Sequence, residues 1–279
     1  MVSKRLLTCL AFTAAAGFLL ATASASDAQP PAKRILLIGK EPDHPPRSHE
    51  YMATCRLLAA CLNRVEGVEA TVSDGWPDEP LDAFAAVVLY RAPFAEEMFV
   101  GPRSGEARRL LDSGGGLVTI HWSVGVPPEG YDALGGVMTR YQGGVWLSNS
   151  GQVAIGQSRV RTLQPDHPIL RGVRLESIRD EWYFNPEVAA DAAPLWSVDT
   201  ESGPLTVAWT YQRPGGGRTF ATTLGHFWEN FTREPFRKAI VNGVLWAAQA
   251  DVPAGGADVE VNRELLELEA AERQPALSP

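Results

Sequence analysis

Residues 34–39 read Arg-Ile-Leu-Leu-Ile-Gly, a short apolar run without the alternation of polar and apolar residues that is typical of a half-exposed strand. Similar runs follow at residues 69–73, 85–90 and 116–121, with helix-like segments at about His49–Asn63 and Ser104–Asp112. Strands buried on both faces of a parallel sheet have this continuous apolar character. The pattern therefore predicts an α/β fold, doubly wound, with a mostly parallel sheet flanked by helices.

The second half of the chain contains a different pattern. Two β-like runs, 205–211 and 218–224, are joined by the glycine-rich segment Arg213-Pro-Gly-Gly-Gly-Arg218, which predicts a late β-hairpin. A last helix, at about Arg233–Ala248, has one apolar face and is expected to cover the sheet. We therefore assign residues 34–250 to one domain and expect residues 251–279 to form a flexible acidic tail.

The N-terminus has the features of a secretory signal peptide. Lys4 and Arg5 precede the apolar stretch Leu6–Ala21, and Ala23-Ser24-Ala25 offers small residues for cleavage. A retained membrane anchor is the alternative, but the stretch is rich in alanine and short for a membrane span. We expect a cleaved signal over residues 1–25, a leader over 26–33, and a periplasmic or extracellular protein with no stable membrane insertion.

Composition excludes several classes of partner. The formal net charge is −8, and loss of the two basic residues of the signal gives −8 − 2, about −10. Such an acidic chain has no electrostatic footprint for nucleic acid. Gly114-Gly-Gly116 precedes a strand and lacks a following Lys-Ser/Thr, so no nucleotide site is expected. Cys55 and Cys61 are predicted to be buried free thiols, and nothing in the sequence indicates an oligomeric state.

Ionisable and aromatic residues follow several predicted strands. Ligands bind beyond the carboxyl ends of the strands in open α/β sheets, so these residues are candidates for a site. They are Asp43, His44, Arg47, His49, Glu50, His121, Trp122, His226 and Trp228. The pair His49-Glu50 has an alternative role at the start of a helix capped by Ser48. We interpret His44 as a surface residue and His167, which precedes a proline, as structural.

The segment Asp180-Glu-Trp-Tyr-Phe184 places two carboxylates among aromatic residues. Such carboxylates are helix-capping surface groups or, when drawn into a pocket, acids with a raised pKa or metal ligands. The aromatic rings would stack on a sugar. Three histidines and one carboxylate would form a divalent metal site with an open position for water.

Taken together, the motifs resemble the ThuA-like (trehalose utilisation) family, whose fold is that of the class I glutamine amidotransferases. The matching segments, within about residues 34–248, are Asp43-His44, His49-Glu50, Gly75-Trp-Pro77, Gly114–His121, Asp180-Glu181 with Tyr183, Val207-Ala-Trp209, Thr223-Leu-Gly-His226 and Asn242-Gly-Val-Leu-Trp246. The resemblance implies a role in carbohydrate metabolism, including the processing of 3-keto-glycosides. It also places His121 at the turn that carries the amidotransferase nucleophile, which argues against a glutaminase.

On this basis His121, Glu181 and His226 are the predicted catalytic residues, and His49, His121 and His226 are the predicted ligands of a divalent metal, zinc or manganese. Glu181 has two possible roles, base or fourth ligand. The predicted contacts with a small carbohydrate substrate are Asp43, Arg47, Trp122, Tyr183 and Trp228. Two alternatives stay open: a non-catalytic sugar-binding or interaction module that uses the same cleft, and a hydrolase that uses Ser123.

Overall fold

The apolar runs form neighbouring strands in the computed structural model, which describes residues 31–91, 94–148 and 151–268. The strands are β1 (Lys33–Ile38), β2 (Val68–Ser73), β3 (Ala86–Leu89), β4 (Gly116–Ile120), β5 (Gly125–Val126), β6 (Gly144–Leu147), β7 (Val153–Thr162), β8 (Ser177–Tyr183), β9 (Glu187–Val188), β10 (Ala193–Thr200), β11 (Gly203–Gln212) and β12 (Arg218–Thr222). The helices are α1 (Tyr51–Leu62), α2 (Phe94–Phe99), α3 (Ser104–Asp112), α4 (Tyr131–Gln142), α5 (Trp228–Thr232) and α6 (Glu234–Ala247).

The main sheet has nine strands in the order β2-β1-β3-β4-β12-β11-β10-β7-β8. Pairing is parallel from β2 to β12 and antiparallel from β12 to β8. The prediction of a mostly parallel sheet is therefore wrong, because the sheet is mixed. Strands β10, β11 and β12 follow one another through short loops, which suits antiparallel pairing, whereas a parallel pair needs a long crossover connection. The β11–β12 hairpin is confirmed, with Tyr211 opposite Thr219.

Helices cover both faces of the parallel part of the sheet. Ile35 and Leu37 of β1 lie in the same core cluster as residues of α1 and α6. Leu36 and Ile38 point to the opposite face and pack with residues of α2, α3 and α4. Each parallel strand is thus buried on both sides, which accounts for the continuous apolar runs.

Helix α1 begins at Tyr51, two residues later than the sequence predicts. His49 has φ 53°, in the left-handed region, and therefore cannot be part of the helix. Ser48 does not cap the helix but forms an isolated antiparallel bridge with Phe227. The residues before α1 are thus also tied to the loop after β12, where the His49 amide donates to the His226 carbonyl.

The segment after α6 differs from the expected flexible tail over its described part. Val252, Ala257 and Val259 are buried in the core cluster that contains α1 and α6. The Ala257 amide donates a hydrogen bond to Oδ1 of Asn242 at 2.8 Å. Small apolar residues spaced among polar ones are enough to fix an extended segment to the domain. Residues 1–30 and 269–279, with the predicted signal peptide, lie outside the described part of the chain.

Within residues 31–91, 94–148 and 151–268, no helix has both the length and the apolar character needed to cross a membrane.

Candidate metal centre and active site

Three histidines converge at the carboxyl edge of the parallel strands. His49 lies before α1, His121 follows β4, and His226 follows β12. Nε2 of His49 is 3.0 Å from Nε2 of His121 and 3.1 Å from Nδ1 of His226, and the latter two nitrogens are 3.3 Å apart. The sequence predicted these residues as ligands from their positions after strands, and the structure brings all three together.

Two of the three histidines have a strained backbone. His49 has φ 53° and His121 has φ 55°, in the left-handed region that non-glycine residues rarely adopt. Such a conformation costs on the order of 1–3 kcal/mol and persists only where the surrounding structure holds it. Here the strain turns both rings toward the same point.

The outer hydrogen bonds of the rings fix their tautomers. Nδ1 of His121 lies 2.7 Å from the carbonyl oxygen of Thr223, which can only accept, so Nδ1 carries the proton. Nδ1 of His49 lies 2.9 Å from Oδ1 of Asp43 and in the same way donates to that carboxylate. Both Nε2 atoms therefore present lone pairs to each other at 3.0 Å, an arrangement that a cation between them would stabilise.

Burial keeps these rings neutral. It lowers the pKa of His49 to about 4 and the pKa of His121 well below the usual value, and the neighbouring histidines add to both shifts. Burial raises the pKa of Asp43, but hydrogen bonds from Lys40, His44 and His49 outweigh it and hold that pKa below its usual range. A carboxylate behind a neutral histidine orients the ring and raises its basicity, as in many metal sites.

Strand β8 adds a carboxylate and a phenol. Oε2 of Glu181 is 3.5 Å from Nε2 of His121 and 3.5 Å from Nδ1 of His226. The Tyr183 hydroxyl is 3.1 Å from Nε2 of His121. One atom from each of His49, His121, Glu181 and His226 lies within 4.8 Å of the others, so the four residues could hold a metal ion. Imidazole and carboxylate ligands are those that zinc and several other divalent metals accept.

Asp180, next to Glu181, supports the loop that carries His226. Its carboxylate accepts hydrogen bonds from the amides of Glu181, Gly225 and His226 and from Nδ2 of Asn230, at 2.8–2.9 Å. The side chain is fully buried, and burial raises its pKa to about 6 although the three amides oppose the shift. Sequence reasoning named Asp180 but gave it no role, because its partners are distant along the chain.

The structure separates the predicted substrate contacts into two groups. Asp43 contacts His49, the Tyr183 ring stacks on His121, and the half-buried Trp122 lies edge-on to Tyr183. Arg47 is exposed beside them, paired with Glu229. The prediction that Trp228 contacts the sugar is wrong. Its side chain is 1% exposed and packs in the core, where it cannot reach a ligand.

His44, interpreted from the sequence as a surface residue, is exposed but also lies beside the cluster. Its ring lies 3.7 Å from the ring of His49, centroid to centroid, and its Nδ1 is 2.8 Å from Oδ1 of Asp43. Tyr51 was also missed, and its hydroxyl is 2.8 Å from Nδ1 of His49. The sequence indicates both residues only through their distance along the chain, because each lies within five positions of His49.

Two other candidates have structural roles. His167 packs against Trp246 away from the cluster, and its Nδ1 accepts a hydrogen bond from the Ile169 amide, in agreement with the structural interpretation. The Ser123 hydroxyl donates to the Arg91 carbonyl and accepts from the Arg91 amide. Both hydrogen bonds hold Ser123 to the backbone, which gives no support to a serine hydrolase.

Comparison with solved structures identifies relatives of the same fold. A ThuA-like protein from Bacteroides uniformis aligns with a TM-score of 0.59 and 16% identity, over 80% of this chain and 94% of that one. A ThuA-like protein from Parabacteroides merdae aligns with a TM-score of 0.56 and 16% identity, over 84% and 94% of the two chains. A glutamine amidotransferase from Thermotoga maritima, at a TM-score of 0.41 and 11% identity over 77% and 96%, is too distant to add to this.

A comparison with curated proteins gives no match. A family model described as trehalose utilisation, a carbohydrate-related role, matches residues 34–247. These residues include the main sheet except for Lys33, and all three histidines of the cluster with Glu181. The chain therefore belongs to the ThuA (trehalose utilisation) family.

Proposed function

We propose that this protein cleaves 3-keto-glycosides by base-assisted elimination and hydration, at a divalent metal held by His49, His121 and His226. The observation that carries the proposal is the contact between Nε2 of His49 and Nε2 of His121. The two atoms are 3.0 Å apart, and each carries a lone pair. Without a cation this contact is repulsive, because each ring has its proton on the other nitrogen. The carbohydrate-related description of the family directs the choice of substrate.

The reaction needs three functions from the site. A 3-keto group acidifies the hydrogen at C2, so a base removes that proton and the electron pair forms an enolate. The enolate then restores the ketone, forms the C1–C2 double bond and expels the C1 oxygen, which takes up a proton. Addition of water across the double bond completes the hydrolysis. The site must therefore supply a base, an electrophile near the ketone oxygen and an acid for the leaving oxygen.

A divalent ion bound by the three imidazoles would polarise a sugar oxygen as a Lewis acid. Glu181 is suited to act as the base. Burial raises its pKa, but the hydrogen bond with His226 and the neighbouring histidines outweigh this and lower it, so that the carboxylate is ionised at neutral pH. Burial raises the pKa of Tyr183 well above 10, so its hydroxyl stays protonated and can donate to the developing enolate oxygen. His44, at the exposed edge of the cluster, is placed to protonate the leaving group.

Glutamine hydrolysis is not part of the proposal. The turn after β4 carries His121 where that chemistry would need a thiol. Cys55 and Cys61 lie in α1, and burial raises the pKa values of their thiols to about 12 and about 11. Neither thiol is therefore activated as a nucleophile.

The first test is elemental analysis of the purified protein together with a 3-keto-disaccharide assay. We expect about one divalent ion per chain, and loss of both the ion and turnover in His121→Ala. His167→Ala, which removes a histidine outside the cluster, should retain both. Glu181→Gln separates the two possible roles of that residue. If Glu181 is the base, the variant retains the ion and its rate falls at least about 100-fold. If Glu181 is a metal ligand, the variant also loses the ion.

Full turnover in His121→Ala would refute the proposed chemistry. Binding of the substrate without any turnover by the wild type would instead support a sugar-binding module. Export remains part of the proposal on the basis of residues 4–25, and a mature N-terminus near Ser26, measured by mass spectrometry of the native protein, tests it.

A further inference from the structure

The rim of the site carries two exposed aliphatic side chains that the reaction does not use. Val153 is 49% exposed and Ile155 is 54% exposed, both on β7. Exposed single aliphatic residues are common on protein surfaces and usually need no explanation. Val153 and Ile155 require an explanation because of where the register of β7 with β8 places them.

Strands β7 and β8 form an antiparallel pair in which Val153 lies opposite Tyr183 and Ile155 lies opposite Glu181. Residues directly opposite in such a pair point to the same face, with Cβ atoms about 4.5–5.5 Å apart. Tyr183 and Glu181 both point into the histidine cluster, at 3.1 and 3.5 Å from Nε2 of His121. Val153 and Ile155 therefore lie on the site face, on the strand next to the one that carries Glu181 and Tyr183.

Val153 and Ile155 themselves offer no hydrogen bond to a second sugar. Residues 151–158 read Gly-Gln-Val-Ala-Ile-Gly-Gln-Ser and contain no charged residue. Aliphatic side chains cannot pair with sugar hydroxyls, and covering those hydroxyls without hydrogen bonds is costly. An apolar group laid over Val153 and Ile155 instead removes apolar surface from water on both sides.

We propose that Val153 and Ile155 form a subsite for an apolar aglycone, such as an aryl group, attached to the sugar that occupies the cluster. This inference rests on the proposed function, because it assumes that a glycoside binds with its sugar at the histidines. The protein then prefers 3-keto-glycosides with an aryl leaving group over those, like a keto-trehalose, whose leaving group is another sugar.

The test compares the double variant Val153→Thr/Ile155→Thr with the wild type. Threonine retains β-branching and strand propensity, so the pairing of β7 with β8 is preserved. Leu163→Thr is the control, since Leu163 is 47% exposed but lies eight residues beyond Ile155, about 26 Å along an extended strand. The probes are the phenyl and methyl 3-keto-glucosides in both anomers and 3-keto-trehalose, with dissociation constants from calorimetry and kcat/KM measured separately.

We expect the wild type to bind the phenyl glycoside about tenfold more tightly than the methyl glycoside, and the double variant to lose most of this ratio. Leu163→Thr should leave the ratio unchanged. This binding result supports the subsite even if no glycoside is turned over, in which case the proposed reaction alone fails. Equal turnover and equal affinity for phenyl and methyl glycosides would leave the reaction standing and overturn the subsite.

Two further outcomes would also overturn it. A phenyl preference that persists unchanged in the double variant would place the apolar contact elsewhere. A change in molecular mass in solution, with no change in ligand preference, would make the patch a contact between copies of this chain.

Discussion

Asp180 shows how a residue that contacts no substrate can decide the geometry of the site. It accepts four N–H donors, and two of them are the amides of Gly225 and His226. Replacement by asparagine turns one acceptor oxygen into an NH₂ group that must face N–H donors. The loop that carries His226 then has to move, while the volume of the side chain stays the same.

We expect Asp180→Asn to weaken divalent metal binding by about 10–100-fold, the usual effect of losing a group that orients a metal ligand. Competition titration with a zinc chelator measures this. Asp199→Asn is the matched control, because Asp199 is exposed and pairs with Arg161 at the surface, away from the histidine cluster. If metal affinity were unchanged while thermal stability fell, Asp180 would stabilise the fold without positioning His226.

The site residues differ in how much the sequence reveals. His121 and His226 could be predicted because His121 directly follows one buried strand and His226 lies in the loop after another, where ligands bind in this class of fold. His44 could not, since an Asp-His-Pro loop on its own is more often surface. Trp228 was assigned wrongly, because a position next to His226 does not determine whether a side chain points into the site or into the core.

At the scale of elements, helix α6 depends on a glycine for its approach to the sheet. Gly243 lies in the middle of α6, and a Cβ atom there would overlap the ring of Phe220 on β12. Glycine is ordinarily unfavourable in a helix, so its presence indicates that close packing outweighs propensity. Gly136 in α4 is exposed, and no atom of the described residues outside the adjoining backbone of that helix lies within 4 Å of the corresponding position.

Gly243→Ala and Gly136→Ala should therefore change stability in opposite directions. The first should lower the free energy of unfolding by about 1–3 kcal/mol through overpacking. The second should raise it by about 0.5–1 kcal/mol, because alanine restricts the unfolded chain and favours the helix. Urea unfolding of both variants measures the difference, and a stabilising Gly243→Ala would show that α6 can move away from β12 at little cost.

The elements also show where sequence patterns stop being informative. Continuous apolar runs predicted the parallel strands, because burial on both faces leaves no polar positions. β7 carries no such signal, since its apolar residues 153–155 are exposed and Val160 is its one buried residue. The pairing of β7 with β8 depends on contacts formed across the loop between them, so the mixed sheet could not be predicted from local pattern.

For the whole molecule, net charge affects which ligands approach the site. A formal charge of −8 produces a negative potential that favours divalent cations and disfavours anionic sugars such as phosphates. The cluster itself supplies three imidazoles, with Glu181 and Asp43 as nearby acids. Both properties agree with a neutral glycoside bound at a metal.

The segment after α6 packs in the core cluster that contains α1 and α6, and it is expected to contribute to global stability. Val252, Ala257, Val259, Leu265 and Leu268 are all buried. Burial of a valine or leucine side chain stabilises by about 1.5–3 kcal/mol, partly offset by the entropy lost on ordering the chain. A chain that ends at Ala250 should therefore be less stable, by roughly 2–4 kcal/mol, than one that ends at Leu268.

A point variant tests the same contribution without truncation. Val259→Ala should lower the free energy of unfolding by about 1–2 kcal/mol, since it removes two buried methyl groups from the core. Glu260→Ala, at the exposed neighbouring position, should change it by no more than about 0.5 kcal/mol. Denaturant unfolding followed by tryptophan fluorescence gives both values. Because Val259 packs in the cluster that holds α1 and α6, equal midpoints for Val259→Ala and Glu260→Ala would mean that the segment lies on the domain without stabilising it.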